Sequence, residues 1–219
     1  MSSRPLRYGV AIFAVVLGLA IFFVIANGLI AWQIERRLET NLEDELGFAV
    51  DVDLSGWPVV PRLLLGSVPQ ARATARNVAV AGTGASISLV QFTLEDVRWK
   101  RQRLGPMDPP VQAEDARFRV EVTQEELQDL LGGESKVADV RLADGRVRIT
   151  GAGGLAANFD VAASGGSVVL RPEMPVFDLQ VYLPIDPILP GRTRVERVLI
   201  EDRRLIITGS TQGLDITGD

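Results

Sequence analysis

Residues 9–32 form an apolar run without a charged side chain, and Asn27 is its one polar interruption. A helix of that length reaches about 36 Å, whereas the hydrocarbon core of a bilayer is about 30 Å thick. The run therefore predicts a transmembrane helix that holds the rest of the chain at a membrane surface. We expect a tail at residues 1–8, the span at residues 9–32 and one domain at residues 33–219.

The basic residues around this run do not decide its orientation. Arg4 and Arg7 precede it, and Arg36 and Arg37 follow it. Because the numbers of basic residues on the two sides are nearly equal, the positive-inside rule does not favour either orientation. A short tail before a long domain favours a single-pass protein of the cell membrane, with the domain on the extracytoplasmic side. A cleaved signal peptide is the alternative, but the run is longer than the usual apolar core of about 7–15 residues.

Composition excludes several classes of function. The chain carries 28 acidic and 23 basic side chains, whereas a nucleic-acid-binding protein carries a basic face. It contains no cysteine and no histidine. A disulfide framework, a cysteine nucleophile, a Ser-His-Asp triad and the usual zinc sites are therefore excluded. No cofactor is predicted.

Beyond the run, the apolar period changes from helix to strand. Ile34, Leu38, Leu42 and Leu46 recur every four residues and predict an amphipathic helix that packs on the following sheet and ends at Gly47. Alternating apolar and polar residues then indicate half-buried strands. These strands are predicted at residues 48–54, 87–89, 118–122, 147–149, 159–161, 177–183 and 205–207.

Local signals refine this pattern. Asp144-Gly145 predicts a hairpin turn, and a slip of the apolar phase between Leu89 and Phe92 suggests a bulge. Residues 123–126 form a capping box ahead of a leucine-rich helix that stops at residues 132–133. The predicted fold class is α+β, with one β-rich domain built on a long, curved antiparallel sheet and few helices.

Two unusual stretches are candidates for contact with lipid. Residues 55–66 are mostly apolar but contain turn-forming residues, which predicts an apolar loop. Three interpretations are open: the loop plugs the core, closes a ligand cavity or inserts into the bilayer. Residues 98–103 are basic around a tryptophan, which suits an anionic membrane surface. A solvated hairpin end is the alternative for that stretch. Its membrane-surface candidates are Arg98, Trp99, Lys100, Arg101 and Arg103.

No set of residues predicts catalysis or a metal site. Asp51 and Asp53 project from one face of a strand, but no histidine or nearby lysine joins them, so a solvated face is favoured. Residues 151–156 loosely fit a dinucleotide-binding pattern. Because a strand and not a helix follows, they are interpreted as a turn. A β-rich domain without a catalytic set is typical of a binding protein.

Eight short segments resemble those of a known family in their order and spacing. They are Gly-Trp-Pro at 56–58, Leu-Leu-Leu-Gly at 63–66, Leu-Glu-Asp-Val at 94–97, Val-Thr-Gln-Glu-Glu-Leu at 122–127, Leu-Ala-Asp-Gly-Arg-Val at 142–147, Leu-Pro-Gly at 189–191, Val-Glu-Arg-Val at 195–198 and Leu-Ile-Ile-Thr-Gly at 205–209. Over residues 34–217 the chain resembles the LmeA-like phospholipid-binding proteins of actinobacterial cell envelopes.

The resemblance implies an exported or membrane-anchored protein that binds phospholipid. The member that names the family is linked to lipomannan elongation, so a role in lipoglycan biogenesis follows as an expectation. The implied partners are a phospholipid or a polyprenyl-linked lipid and the cytoplasmic membrane. The implied fold is a sheet wrapped around a helix, akin to tubular lipid-binding domains. No catalytic residue is carried over from the family.

A lipid groove in such a sheet would be lined by large apolar residues. The candidates are Trp57, Leu63, Leu64, Phe92, Leu94, Leu127, Leu131, Phe159, Phe177 and Leu189. Ordinary core packing is the alternative for each of them. The corresponding alternative function is a structural or scaffolding ectodomain with a fully packed core. A third hypothesis, which we disfavour, is an enzyme that acts on envelope glycolipid through Asp51 and Asp53.

Overall fold

The computed structural model describes most of the chain beyond residue 34. The described residues are 17, 24, 25, 28, 29, 32, 33, 35–40, 42–44, 46–55, 67–80, 83–99, 111–132, 137–164, 166–173, 181–183 and 193–216. The strands are β1 (Asp51–Ser55), β2 (Ser67–Ala79), β3 (Ser86–Trp99), β4 (Val111–Thr123), β5 (Val137–Ala143), β6 (Arg146–Gly151), β7 (Ala156–Ser164), β8 (Ser167–Pro172), β9 (Val181–Tyr182), β10 (Thr193–Glu201) and β11 (Arg204–Ile216). One helix spans Gln124–Gly132 and another covers the described part of residues 35–46.

The strands form two antiparallel sheets where the sequence predicts a single long one. The six-stranded sheet has the order β1-β2-β3-β4-β11-β10, and the five-stranded sheet is the meander β5-β6-β7-β8-β9. β4 pairs with β3 on one side and with β11 on the other, so β4 has no free edge with which the next strand, β5, could pair. The α+β class and the antiparallel pairing are confirmed.

The buried face of β2 and that of β3 change at matching positions. On β3 the buried side chains are Ile87 and then Val90, so the inward face shifts by one residue. β2 makes the same change across Asn77, whose φ of 54° lies in the left-handed region that asparagine tolerates. Register is the same on either side. The predicted phase slip is therefore present slightly earlier than expected, but the predicted bulge is wrong, because neither strand has an inserted residue.

The helix of residues 35–46 lies along the free edge of β1. Leu38 and Leu42 are buried in the core, as predicted, and Gly47 ends the helix with a φ of 73°. Glutamates at every fourth position accept hydrogen bonds from alternate backbone N–H groups of the strand. The pairs are Leu54 N–H to Glu35 (3.3 Å), Val52 N–H to Glu39 (3.3 Å) and Val50 N–H to Glu43 (3.2 Å). We call these contacts the glutamate ladder.

The helix Gln124–Gly132 covers the free edge of the other sheet. Its predicted capping box is confirmed, because Thr123 N–H donates to Glu126 Oε2 (2.7 Å) and Glu126 N–H donates to Thr123 Oγ1 (3.3 Å). Gln124 Oε1 accepts a hydrogen bond from Leu142 N–H on the edge strand β5 (3.2 Å). Each sheet therefore has one edge strand covered by a helix, which protects it from pairing with other chains.

Candidate functional site

The inward face of the six-stranded sheet alternates large and small side chains across neighbouring strands. One row reads Val52, Ala73, Phe92, Phe118, Gly209 and Val195 from β1 to β10. All of these residues are buried. Phe92 and Phe118 are paired at the centre of the row, with alanine on one side and glycine on the other. The small neighbours leave room for the rings, and the face is apolar across the whole sheet.

Five of the ten predicted groove residues lie in the described part of the chain, and the structure brings all five into one core cluster. Phe92 and Leu94 lie on β3, Leu127 and Leu131 on the helix Gln124–Gly132, and Phe159 on β7. Leu94 and Leu127 have no accessible surface, whereas Leu131 keeps 8%. Their role in lining a lipid groove stays a prediction. The other five, Trp57, Leu63, Leu64, Phe177 and Leu189, lie outside the described residues.

The predicted membrane-surface stretch begins at the end of β3. Arg98 is exposed and forms an ion pair with Glu114 on β4 at 3.6 Å, and Trp99 is the last residue of the strand. Lys100, Arg101 and Arg103 lie outside the described residues. An exposed ion pair of this kind contributes about 0–1 kcal/mol, so Arg98 remains free to exchange Glu114 for another anion.

The described residues of the apolar run are helical, and their large side chains are exposed. Leu17 is 49% exposed, Leu29 is 61% exposed and Trp32 is 53% exposed. The guanidinium of Arg36 lies 5.1 Å from the ring centroid of Trp32, a cation–π contact. Among the described residues, no helix is both long enough and apolar enough to cross a bilayer.

Charged clusters in the described residues are ion pairs on the sheet surface. Glu121 on β4 accepts hydrogen bonds from Arg119 and Arg204, each at 2.9 Å. Partial burial raises the pKa of Glu121, but the two arginines together outweigh it, so the pKa lies below its ordinary value of 4.5. Asp51 and Asp53 are exposed on β1. The described residues contain no group of three acidic side chains placed to hold a metal ion.

One polar depression was not predicted from the sequence. It lies between β10 and the β7–β8 turn, has a volume of about 760 Å³ and is open to solvent. Its lining residues are Ala163, Gly166, Thr193, Arg194, Val195 and Glu196. Glu196 is the extra residue of a β-bulge in β10, and Ser210 donates a hydrogen bond to its Oε1 at 2.5 Å. No sequence pattern marks this bulge, because it arises from the pairing of β10 with β11.

A family model described as LmeA-like phospholipid-binding matches residues 25–210. The match covers most of the chain, including the apolar face of the six-stranded sheet and both edge-covering helices. Comparisons with curated proteins and with solved structures gave no match. The family is characterised by the binding of a lipid and not by a reaction, in keeping with the absence of a predicted catalytic set. The chain belongs to the LmeA-like phospholipid-binding family.

Proposed function

We propose that this protein is a membrane-anchored, extracytoplasmic lipid-binding protein that supports lipoglycan assembly in the cell envelope. Its ligand is a phospholipid or a polyprenyl-linked lipid. The observation that carries the proposal is the family match over residues 25–210, which includes the whole folded core. Membrane anchoring and the envelope role go beyond the family match. The apolar run at residues 9–32 supports the anchoring, and the link of the family to lipomannan elongation supports the envelope role.

The exposed apolar helix supports the anchoring part of the proposal. Large apolar side chains from Leu17 to Trp32 are about half exposed in the described residues, and contiguous apolar patches of this kind are rare on soluble proteins. Insertion into a bilayer removes them from water. The indole of Trp32 and the guanidinium of Arg36 then suit the interface between hydrocarbon and headgroups.

The energetics of acyl-chain burial fit the apolar sheet face. Each buried methylene contributes about 0.8 kcal/mol, so a dozen methylenes supply roughly 10 kcal/mol before the costs of association. Leu94 and Leu127 have no accessible surface, so lipid reaches them only if their neighbours move. Leu131, which retains some exposure, is the described candidate that a guest contacts first.

Lipid analysis of the purified full chain tests this function. We expect about one phospholipid or polyprenyl-linked lipid per chain to survive detergent exchange and to be detected by mass spectrometry. The matched control is residues 1–46 fused to an unrelated soluble domain, which retains the anchor and its annular lipids but lacks the sheets. Lipid content equal to that of the control, together with no uptake of a fluorescent phospholipid, would refute lipid binding.

A scaffolding ectodomain is the second candidate function. The specific observation that favours it is the complete burial of Leu94 and Leu127 in the core cluster, as expected of a sheet face filled by its own side chains. This alternative predicts a lipid content no higher than that of the anchor control. It also predicts a defined protein partner after crosslinking in membranes.

A further inference from the structure

The direction of the N-terminal helix relates the six-stranded sheet to the predicted anchor. In the glutamate ladder, Glu35 near the start of the helix contacts Leu54 near the end of β1, and Glu43 contacts Val50 before the strand begins. Helix and strand are therefore antiparallel. The end of β1 at Ser55 lies beside the start of the helix, on the side of the apolar run.

Strand register relates the other strands to this level. Ser55 pairs with Gln70, so the ends of the strands beyond β1 extend about three residues further toward the apolar run. Ser67 at the start of β2 pairs with Arg98, Trp99 at the end of β3 pairs with Val111, and Val111 pairs with Ile216 at the end of β11. We call this end of the sheet, defined by Ser55, Ser67, Trp99, Val111 and Ile216, the anchor end. The opposite end is defined by Ala79, Ser86, Thr123 and Arg204, and we call it the far end.

The anchor end lies within a few ångströms of the apolar run. Glu35 follows Trp32 by three residues, which corresponds to about 4.5 Å along a helix. The described residues on both sides of position 34 are helical. β3 extends from Ser86 to Trp99, so the far end lies about 40 Å from the anchor end along the strands.

The connections at the two ends differ in sequence. The segments that join strand ends at the anchor end, residues 56–66 and 100–110, lie outside the described residues. Their sequences contain Trp57 and a Leu-Leu-Leu segment, and their four basic side chains outnumber one acidic side chain. At the far end, residues 80–85 carry no charge and residues 202–203 carry one of each sign. Basic residues near an anionic membrane contribute about 1 kcal/mol each, and tryptophan favours the interfacial zone.

We propose that the anchor end of the six-stranded sheet rests on the bilayer that holds residues 9–32, with the far end pointing away from it. The partner of this surface is the interfacial layer of that membrane. The inference rests on the anchoring part of the proposed function and adds the orientation of the domain. Only about one helical turn separates the anchor from the ladder, which keeps the anchor end at the surface of that membrane.

Site-specific fluorescence in reconstituted vesicles tests the orientation. The chain contains no cysteine, so Ser67→Cys at the anchor end and Ser86→Cys at the far end accept a single environment-sensitive dye without further changes. The two serines are a matched pair, since each is the first residue of a strand. In vesicles with a headgroup-attached quencher, we expect at least about fivefold stronger quenching at position 67 than at position 86. The range of contact quenching is much shorter than the distance of about 40 Å between the two ends.

The outcomes separate this inference from the function on which it rests. Both labelled variants are first floated with vesicles after an alkaline wash. Loss of the protein from the vesicles overturns the anchoring and the orientation together. Retention with equal quenching at both positions, or with stronger quenching at position 86, overturns the orientation and leaves lipid binding intact. Retention with quenching confined to position 67 supports it.

Discussion

Gly209 lies beside the ring of Phe118 at the centre of the six-stranded sheet. A Cβ atom at this position would stand 2.6 Å from the ring of Phe118 and would collide with the carbonyl oxygen of Arg194. Because the second contact is with backbone, it cannot be relieved by a rotamer change. The residue therefore has to be glycine if β10 is to pair closely with β11.

We expect Gly209→Ala to lower the free energy of unfolding by about 2–3 kcal/mol, as overpacked cores do. The matched control is Gly153→Ala, since a Cβ at Gly153 meets nothing within 4 Å. Urea denaturation of both variants in detergent measures the difference. Equal stability of the two would show that β10 shifts to accept the methyl group.

Glu121 makes stability depend on pH through its two arginine partners. Its pKa is below the ordinary 4.5, so its contribution is present above the unfolded-state pKa and is lost as the pH falls through the folded-state pKa. We expect Glu121→Gln to cost about 1–2 kcal/mol at neutral pH and to cost progressively less below pH 4.5. Unfolding curves across this range check the sign.

The control for this variant is Glu114→Gln on the same strand. The ion pair of Glu114 with Arg98 is exposed on both sides, so its loss costs less than about 1 kcal/mol. If the free energy of unfolding that is lost in Glu121→Gln does not change with pH, the assignment of the low pKa of Glu121 to Arg119 and Arg204 is wrong.

At the scale of elements, the edges of the two sheets are covered by helices in the same way. The ladder works because four helical residues rise about 6 Å and two strand residues advance about 6.6 Å. Side chains at every fourth helical position therefore stay level with alternate N–H groups of β1. The helix Gln124–Gly132 uses glutamine at positions 124 and 128 to reach backbone groups of β5.

Replacing Glu35, Glu39 and Glu43 together by alanine should expose the edge of β1. We expect amide hydrogen exchange at Val50, Val52 and Leu54 to accelerate by about fivefold, since each N–H loses a hydrogen bond worth about 1 kcal/mol. The triple glutamine variant retains a carbonyl oxygen at each position and should keep most of the protection.

Asp44→Ala is the control for the ladder, because this exposed residue lies on the same helix and outside the glutamate series. Exchange at the three amides should be unchanged in this variant. Slow exchange in the triple alanine variant would mean that the helix covers β1 by packing alone.

At the level of the whole molecule, we expect the exposed carboxylates of β1 to take no part in lipid binding. Asp51 and Asp53 point to solvent, away from the apolar face formed by Val52 and Leu54. We expect Asp51→Asn with Asp53→Asn to leave the retained lipid and the free energy of unfolding unchanged within about 0.5 kcal/mol. Lipid mass spectrometry and urea denaturation check both. Loss of envelope function without loss of lipid would instead revive the disfavoured enzyme hypothesis.

The local elements of this protein can be predicted from short stretches of its sequence. The capping box at Thr123, the leucine spacing of the first helix and the Asp144-Gly145 turn depend on neighbours within a few residues, so their physics is local. The turn adopts positive φ at both positions, as its residue types predict. Asp202-Arg203 adopts the same conformation without glycine, and the pairing of β10 with β11 imposes it.

Long-range packing sets the division into two sheets, the bulge at Glu196, the place of Gly209 and the glutamate ladder. Each depends on which strand edges remain free after the others have paired, and residues distant in the sequence control that choice. β11, the last strand in the sequence, pairs with the edge of β4 that β3 leaves free. β5 therefore cannot pair with β4. Periodicity reports which face of an element is buried, whereas the partner of that face is set by long-range packing.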